Sequence, residues 1–456
     1  MSRYPLTLLA LLALAGCTST SEAPQALPPA PAEWNHAVSA AAPPDALWWR
    51  AFASAELDAL VEQGLADNFD LAAAAARLRQ AEARARAAGA PLLPRLDGSL
   101  GASREGRPGG DADVAGNLYG GGLAASYEVD LWGRLSADRQ AAEAELAASR
   151  FDRDALRLTL SASLGETWLR QVALAERLRL AELNLANAER VLATVQARQV
   201  AGSATQLELA QQRGLVAEQR RSREALRQQA DDVRSTLAAL LGQAAPAEPS
   251  SAALTALVVP SVSAGLPSEL LLRRPDLARA EAQLSAADAD LRAARAAMLP
   301  RLNLSAGASG SGGSLNRAFA DPVYSLAAAL TAPIFDGGAL AAERDRAAAR
   351  REELLADYRQ SIVAAFADVQ VALNAGAGVE TQWQAQQEVQ AQAERALQLA
   401  ERRYRAGAED LLNLLDAQRT LYAAEDQSAQ LRLARLQASV ALARALGGGW
   451  QAATDE

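Results

Sequence analysis

Four stretches of the chain alternate apolar and polar residues with a period of two. In the first, Leu96, Gly98, Leu100 and Ala102 interleave with Asp97, Ser99, Gly101 and Ser103, the pattern of a strand whose two faces differ. In the second, Leu123, Ala125, Tyr127, Val129 and Leu131 alternate with Ala124, Ser126, Glu128 and Asp130. The third sets Leu302, Leu304, Ala306 and Ala308 against Asn303, Ser305, Gly307 and Ser309; the fourth carries Leu326, Ala328, Leu330 and Ile334 on one face. Strands are therefore expected over about 94–104, 117–131, 300–310 and 322–334, in two hairpins with Gly-rich loops. On the polar faces Asp97, Ser99, Glu128, Asp130, Asn303 and Ser305 are expected to meet water.

After each hairpin the period changes to that of a helix, over about 135–200 and 339–405. At 1.5 Å per residue each would be about 100 Å long, too long for a small globular domain. Leu174, Leu178, Ala181, Leu185, Ala188, Leu192 and Val195 step by four and three, a coiled-coil seam whose alanines allow close approach. Each long helix stops near a glycine, Gly202 or Gly407, and a shorter helix follows, Leu207 to Leu241 or Leu411 to Leu446. The product is a pair of antiparallel helical hairpins. Pro94, Pro300, Gly133 and Gly337 suit the bends between strand and helix. Trp132 falls at one such bend, where it fits either an interfacial anchor or a packed aromatic corner.

The two halves repeat. Asp70-Leu71 leading to Leu93-Pro94-Arg95-Leu96 returns as Asp276-Leu277 leading to Leu299-Pro300-Arg301-Leu302, and Gly202 returns as Gly407. The division expected is a first repeat over 46–243, a Pro- and Ser-rich connector over 244–275, a second repeat over 276–447 and a tail over 448–456. Four strands cannot close a barrel, and an open edge is not tolerated in lipid. Three chains would supply twelve strands. A water-soluble sheet packed on helices is the competing reading, and the helices are far too long to cap one.

Composition narrows the function. The chain has 456 residues, one His and one Cys; its 45 cations are all Arg, against 54 Asp and Glu, for a formal net charge of −9. One Cys excludes a disulfide scaffold, and one His with one Cys excludes a zinc or haem centre built from them. An acidic chain without a basic block is a poor nucleic-acid binder. His36 lies in a polar tether and is read as solvated; no nucleophile elbow or phosphate loop is present, so no enzyme, metal or cofactor is expected. Cys17 has a different context: a short positive start, the apolar run Leu6 to Leu14, then Leu14-Ala15-Gly16-Cys17. This resembles a bacterial lipoprotein signal, with residues 1–16 removed, Cys17 acylated and residues 17–45 an extended tether. No later run is expected to reach the ~18 apolar residues of a spanning helix.

The motifs together identify a family. Tyr127-Glu128-Val129-Asp130-Leu131-Trp132-Gly133-Arg134, Arg273-Arg274-Pro275-Asp276-Leu277, Pro333-Ile334-Phe335-Asp336-Gly337-Gly338, Arg403-Tyr404-Arg405-Ala406-Gly407 and Leu414-Leu415-Asp416-Ala417-Gln418 stand in this order. With the Cys17 signal they resemble the TolC-family outer-membrane factors, lipoprotein efflux branch. The resemblance implies a fold that is mainly α with transmembrane β. In that fold a homotrimer forms a 12-stranded outer-membrane barrel continuing into a periplasmic α-barrel of internally duplicated hairpins. It also implies the exit duct of a tripartite efflux pump, held in outer-membrane lipid and docked through a periplasmic adaptor onto an inner-membrane transporter of the resistance-nodulation-division class. In the family the tip glycines, here Gly202 and Gly407, meet the adaptor. A tyrosine three before and acids six and nine after constrict the entrance, which carries over to Tyr404, Asp416 and, in the first repeat, Glu208. Asn413 departs from that pattern where an acid is usual. The glycines also fit ordinary helix caps, with the acids merely solvated. Protein secretion through a type I system and a poreless periplasmic coiled-coil lipoprotein are the alternatives.

Overall fold

The computed structural model describes residues 27–36, 44–106, 108–109 and 116–451. Cys17, the signal and most of the tether lie outside the described residues. Two helices open the first half, α1 (Ala55–Asp67) and α2 (Phe69–Gly89), followed by strands β1 (Arg95–Glu105) and β2 (Gly116–Val129) and helices α3 (Arg134–Val200) and α4 (Gln206–Leu240). The second half repeats the order with α5 (Pro275–Ala296), β3 (Arg301–Gly312), β4 (Val323–Thr331), α6 (Ala339–Arg405) and α7 (Leu411–Ala445). The long helices α3 and α6 each have 67 residues and the shorter α4 and α7 each have 35.

The strands form one antiparallel sheet in the order β1-β2-β3-β4. Two strands end earlier than the alternation suggested. β2 stops at Val129 and β4 at Thr331, so Leu131, Asp130 and Ile334 lie beyond the ladder. In β4 the cause is Pro333, which has no N–H to donate; in β2 the chain turns toward Gly133, whose φ of 72° begins α3.

Below the sheet the helices pack lengthwise. The seam is observed: Leu174, Ala181, Leu185, Ala188 and Val195 are buried, with Leu178 and Leu192 packed against them. Within α6 one 18-residue window reaches a mean hydropathy of 1.5, enough by length and composition to cross a bilayer, contrary to expectation. That helix buries Ile362, Ala365, Phe366, Val369 and Leu373 in the chain's own core, while only 33% of the window is buried within the single chain. Trp34 joins the same core against Phe366, ring centroids 6.1 Å apart. Asn35 and Gln370 exchange two hydrogen bonds of 3.1 and 3.3 Å.

Arg274, 12% exposed, ties three helices together here. It donates to Asp276 at 3.0 and 2.8 Å, to Asp368 on α6 at 3.1 Å, and to the Ala445 carbonyl ending α7 at 3.3 Å. Burial would raise the Asp276 carboxyl, but the adjacent guanidinium outweighs it and holds the group below the usual carboxylate value. Replacing Arg274 with Ala strands two carboxylates and should cost about 1–3 kcal/mol, discounted for the half-exposed Asp368. Thermal unfolding in detergent should show a lower Tm. Because the folded-state value of Asp276 is depressed, its contribution is complete above the unfolded value of 3.8 and is lost as pH falls below it. The difference in Tm between the two proteins should therefore shrink on acidification from pH 5 toward about pH 2; a constant difference would remove Arg274 from this role.

Candidate functional site

The register sorts the two faces of the sheet. Paired residues share a face, so Leu96, Ala125, Ala306 and Leu326 form one row, Leu123, Ala308 and Tyr324 the next, and Tyr127, Leu304 and Ala328 another. The opposite face carries Asp97, Ser99, Ser126, Glu128, Asn303, Ser305 and Ser325. Asn303 faces Glu128 across the ladder, and Ser305 faces Ser126. The predicted polar residues of the strands thus gather on one surface. Leu100, Leu326 and Tyr324 on the apolar surface are 87%, 77% and 81% exposed in the single chain, which water does not favour and lipid does.

Every residue of the outer strands β1 and β4 is exposed, and each offers an unpaired backbone edge. At the helix end the apolar face is bounded by Trp132 and Phe335, both exposed, the position of an interfacial aromatic girdle. Tyr324, level with Leu123 and Gly98, and Phe319, beside Leu100, stand exposed farther along the same face. Trp132 keeps its ring exposed while its Nε1 donates to the Pro300 carbonyl at 2.8 Å, the arrangement of an interfacial anchor rather than a packed corner.

Asp130 is not a strand residue facing the lumen. It caps α3, accepting from the backbone N–H groups of Leu135 (3.0 Å) and Ser136 (2.9 Å) and from the Ser136 hydroxyl (2.6 Å). Burial pushes its carboxyl up, and these hydrogen bonds together with Arg134 bring it below the usual value. Asp336 does the same for α6, accepting from Gly338 at 2.9 Å and Leu340 at 2.8 Å. Glu128 stays on the polar face but is held bidentately by Arg134 at 2.9 and 3.0 Å, and Asp97 is paired with Arg95 at 2.9 Å.

At the opposite end of the helices, Gly202 (φ 75°) and Gly407 (φ 72°) take left-handed dihedrals. Ser203 and Ala408 donate to the carbonyls of Arg198 and Arg403 at 2.8 and 2.9 Å, so both tips are glycine-terminated helix caps. Glu208 forms a capping box with Thr205, accepting its N–H at 2.6 Å. In the second repeat Asp410 caps α7, Asn413 stands where Glu208 stood, and its amide bonds Glu409. Tyr404 is 2% exposed, packed among Leu397, Leu411, Leu414 and Leu415. Arg198, ending α3, lies 4.6 Å over its ring and donates to its carbonyl at 3.0 Å, so the two tips are clamped together. Burial raises the Tyr404 phenol. Asp416 is exposed and makes no ion pair among the described residues. Arg198 was missed in the sequence because nothing in its local pattern marks a contact with residue 404. Among the described residues no group of His, Cys, Asp and Glu is arranged to hold a metal.

The sequence matches the outer membrane efflux protein family over residues 60–243 and again over 266–448. It is 51% identical over 453 residues to the pyoverdine export outer membrane protein OpmQ of Pseudomonas putida, covering 97% of this chain and 96% of that one. The OpmQ protein of Pseudomonas aeruginosa is 48% identical over 464 residues, covering 99% and 98%. Among solved structures, the outer-membrane channel OprN superposes with a TM-score of 0.86 at 29% identity, covering 94% and 98%.

Removing either helix cap, Asp130→Ala or Asp336→Ala, should cost about 1 kcal/mol locally. Amide exchange in the first turn of the capped helix should then accelerate about fivefold, while the helix centre is unchanged. Unchanged exchange at Leu135 and Ser136 would show that Asp130 does not hold the junction.

Proposed function

The chain belongs to the outer membrane efflux protein family, and on that premise we propose that its cargo is a siderophore of the pyoverdine type. It is an outer-membrane exit duct of a tripartite efflux system; it works with adaptor and inner-membrane pump partners. The observation that carries the cargo is identity of 51% and 48%, over nearly the whole of each chain, with two pyoverdine export proteins. The outer membrane protein OprJ and the solvent efflux pump protein SrpC stand at 32% and 33%. A strain lacking this chain should accumulate newly made siderophore in the periplasm and release less into the medium, and the intact chain should restore release. Normal release from the deletion strain would overturn the assignment.

The working assembly is a homotrimer anchored through acylated Cys17, with an adaptor meeting the tips at Gly202 and Gly407 and a transporter of the resistance-nodulation-division class beyond it. The open edges of β1 and β4 support the trimer, and the sequence around Cys17 supports the anchor. The entrance is held shut by the tips. Tyr404 acts through packing, as the plate on which Arg198 clamps the two hairpins, and Asp416 supplies an exposed carboxylate that three-fold symmetry would bring together with two others. Glu208 and Asn413 position the first turns of α4 and α7 rather than line the entrance. Arg198→Ala or Tyr404→Ala should raise single-channel conductance in a planar bilayer several-fold. Asp416→Ala should change cation selectivity with less effect on the closed state. Wild-type conductance and selectivity in all three would dismiss this entrance.

A further inference from the structure

Where the sheet ends away from the helices, two arginines belong to its apolar side. Arg104 shares the row of Leu100 and Ala102 and pairs across the ladder with Asn117. Arg317 lies in the loop over 313–322, which folds back against the end of β3. A Cβ added at Gly312 would stand 2.8 Å from the Arg317 carbonyl and 3.0 Å from the Arg317 Cβ, and one at Gly310 would stand 2.4 Å from the Ala318 carbonyl. Both glycines alternate in register with Ala308 on the apolar face, so any side chain there would lift the loop away. Phe319 reaches over β2, 3.1 Å from where a Gly121 Cβ would be, beside Leu100.

The ladder also fixes the spacing. Gly312 is level with Tyr119, and Tyr119 with Ala102, one row below Arg104. Two strand spacings and one two-residue step put Arg104 and the Gly312 position, against which Arg317 packs, on the order of 12 Å apart. Neither guanidinium has an ion pair or hydrogen bond among the described residues. Of the described carboxylates nearby, Glu105 stands on the opposite, polar row and Asp321 precedes β4; neither pairs with these arginines. Beneath them Leu100, Leu315, Phe319 and Tyr324 are 87%, 74%, 61% and 81% exposed.

An arginine on a lipid-facing strand is costly at the bilayer centre and tolerated at its edge, where the stem lies on apolar surface and the guanidinium reaches the headgroups. Guanidinium matches phosphate bidentately. Two such groups, rising from backbone positions about 12 Å apart, can reach the separate phosphates of a headgroup that bears two. The helices extend into the periplasm, so this rim faces the outer leaflet. We propose that the rim binds a phosphorylated saccharolipid of that leaflet, of the lipid A class. Arg104 and Arg317 each take one phosphate, while Leu315, Phe319 and Tyr324 meet acyl chains. The site rests on membership of the outer-membrane family and is independent of the cargo.

Native mass spectrometry of the full-length protein in detergent tests this, with bisphosphorylated lipid A, dephosphorylated lipid A, phosphatidylglycerol and inorganic phosphate as separate additions. The expected result is a lipid A adduct weakened about fivefold by Arg317→Gln or Arg104→Gln and about thirtyfold by both. Dephosphorylated lipid A should bind poorly, and phosphate should not compete at micromolar concentration. Arg95→Gln, at the other end of β1, should bind as wild type, and the assembly mass in the same spectra reports folding. Equal binding by the double variant, equal retention of phosphatidylglycerol, or displacement by inorganic phosphate would each overturn the site.

Discussion

A four-stranded sheet with two free edges and one apolar face cannot exist alone in either solvent it meets. In water its exposed leucines and tyrosines cost free energy roughly in proportion to their area. In lipid, the unpaired N–H and C=O groups of β1 and β4 cost several kcal/mol each. Closing the sheet on copies of itself removes the edge penalty and turns the apolar face outward, where lipid removes the other, and the remaining features of the chain are arranged around that closure. The polar residues Ser99, Ser126, Asn303 and Ser305 then face an enclosed aqueous space, and the apolar rows face outward.

The same closure explains the junctions. A barrel strand and a 100 Å helix cannot continue one another without a break in the hydrogen-bond pattern. The chain meets the break twice with one device: a glycine in the left-handed region followed by a helix whose first N–H groups are satisfied by an upstream aspartate, Asp130 or Asp336. Trp132 bridges from the first junction to the second repeat through Pro300, so the two halves are set at one height. At the far end the repeats diverge. Glu208 makes a capping box, its counterpart Asn413 does not, and Tyr404, which meets Arg198 across the two tips, has Gln199 as its counterpart in the first repeat.

Much of this was legible in the sequence, since period-two alternation, the 3-4 seam and the glycine-ended helices are local patterns with local causes. Strand faces followed from alternation alone, because ladder partners share a face. The sequence did not reveal which residues meet across distance. Asp130 reads as the next polar position of β2, yet becomes a helix cap because the ladder ends at Val129. Arg274 is visible within a motif, but its bonds to Asp368 and to the end of α7 span 94 and 171 positions. Tyr404 was found by resemblance, while its burial and its partner Arg198 depend on how two hairpins pack. The apolar stretch of α6 carries the reverse lesson: composition fits a membrane span, yet one of its faces, with Ile362, Phe366 and Val369, packs into the chain's own core.

If each chain supplies one third of a closed barrel, assembly is a condition of the fold in the membrane. The most direct measurement is the native mass of the full-length protein extracted from the outer membrane in mild detergent. The account predicts a species of three chains that persists on dilution. A predominant monomer or dimer that nevertheless conducts in a planar bilayer would contradict it.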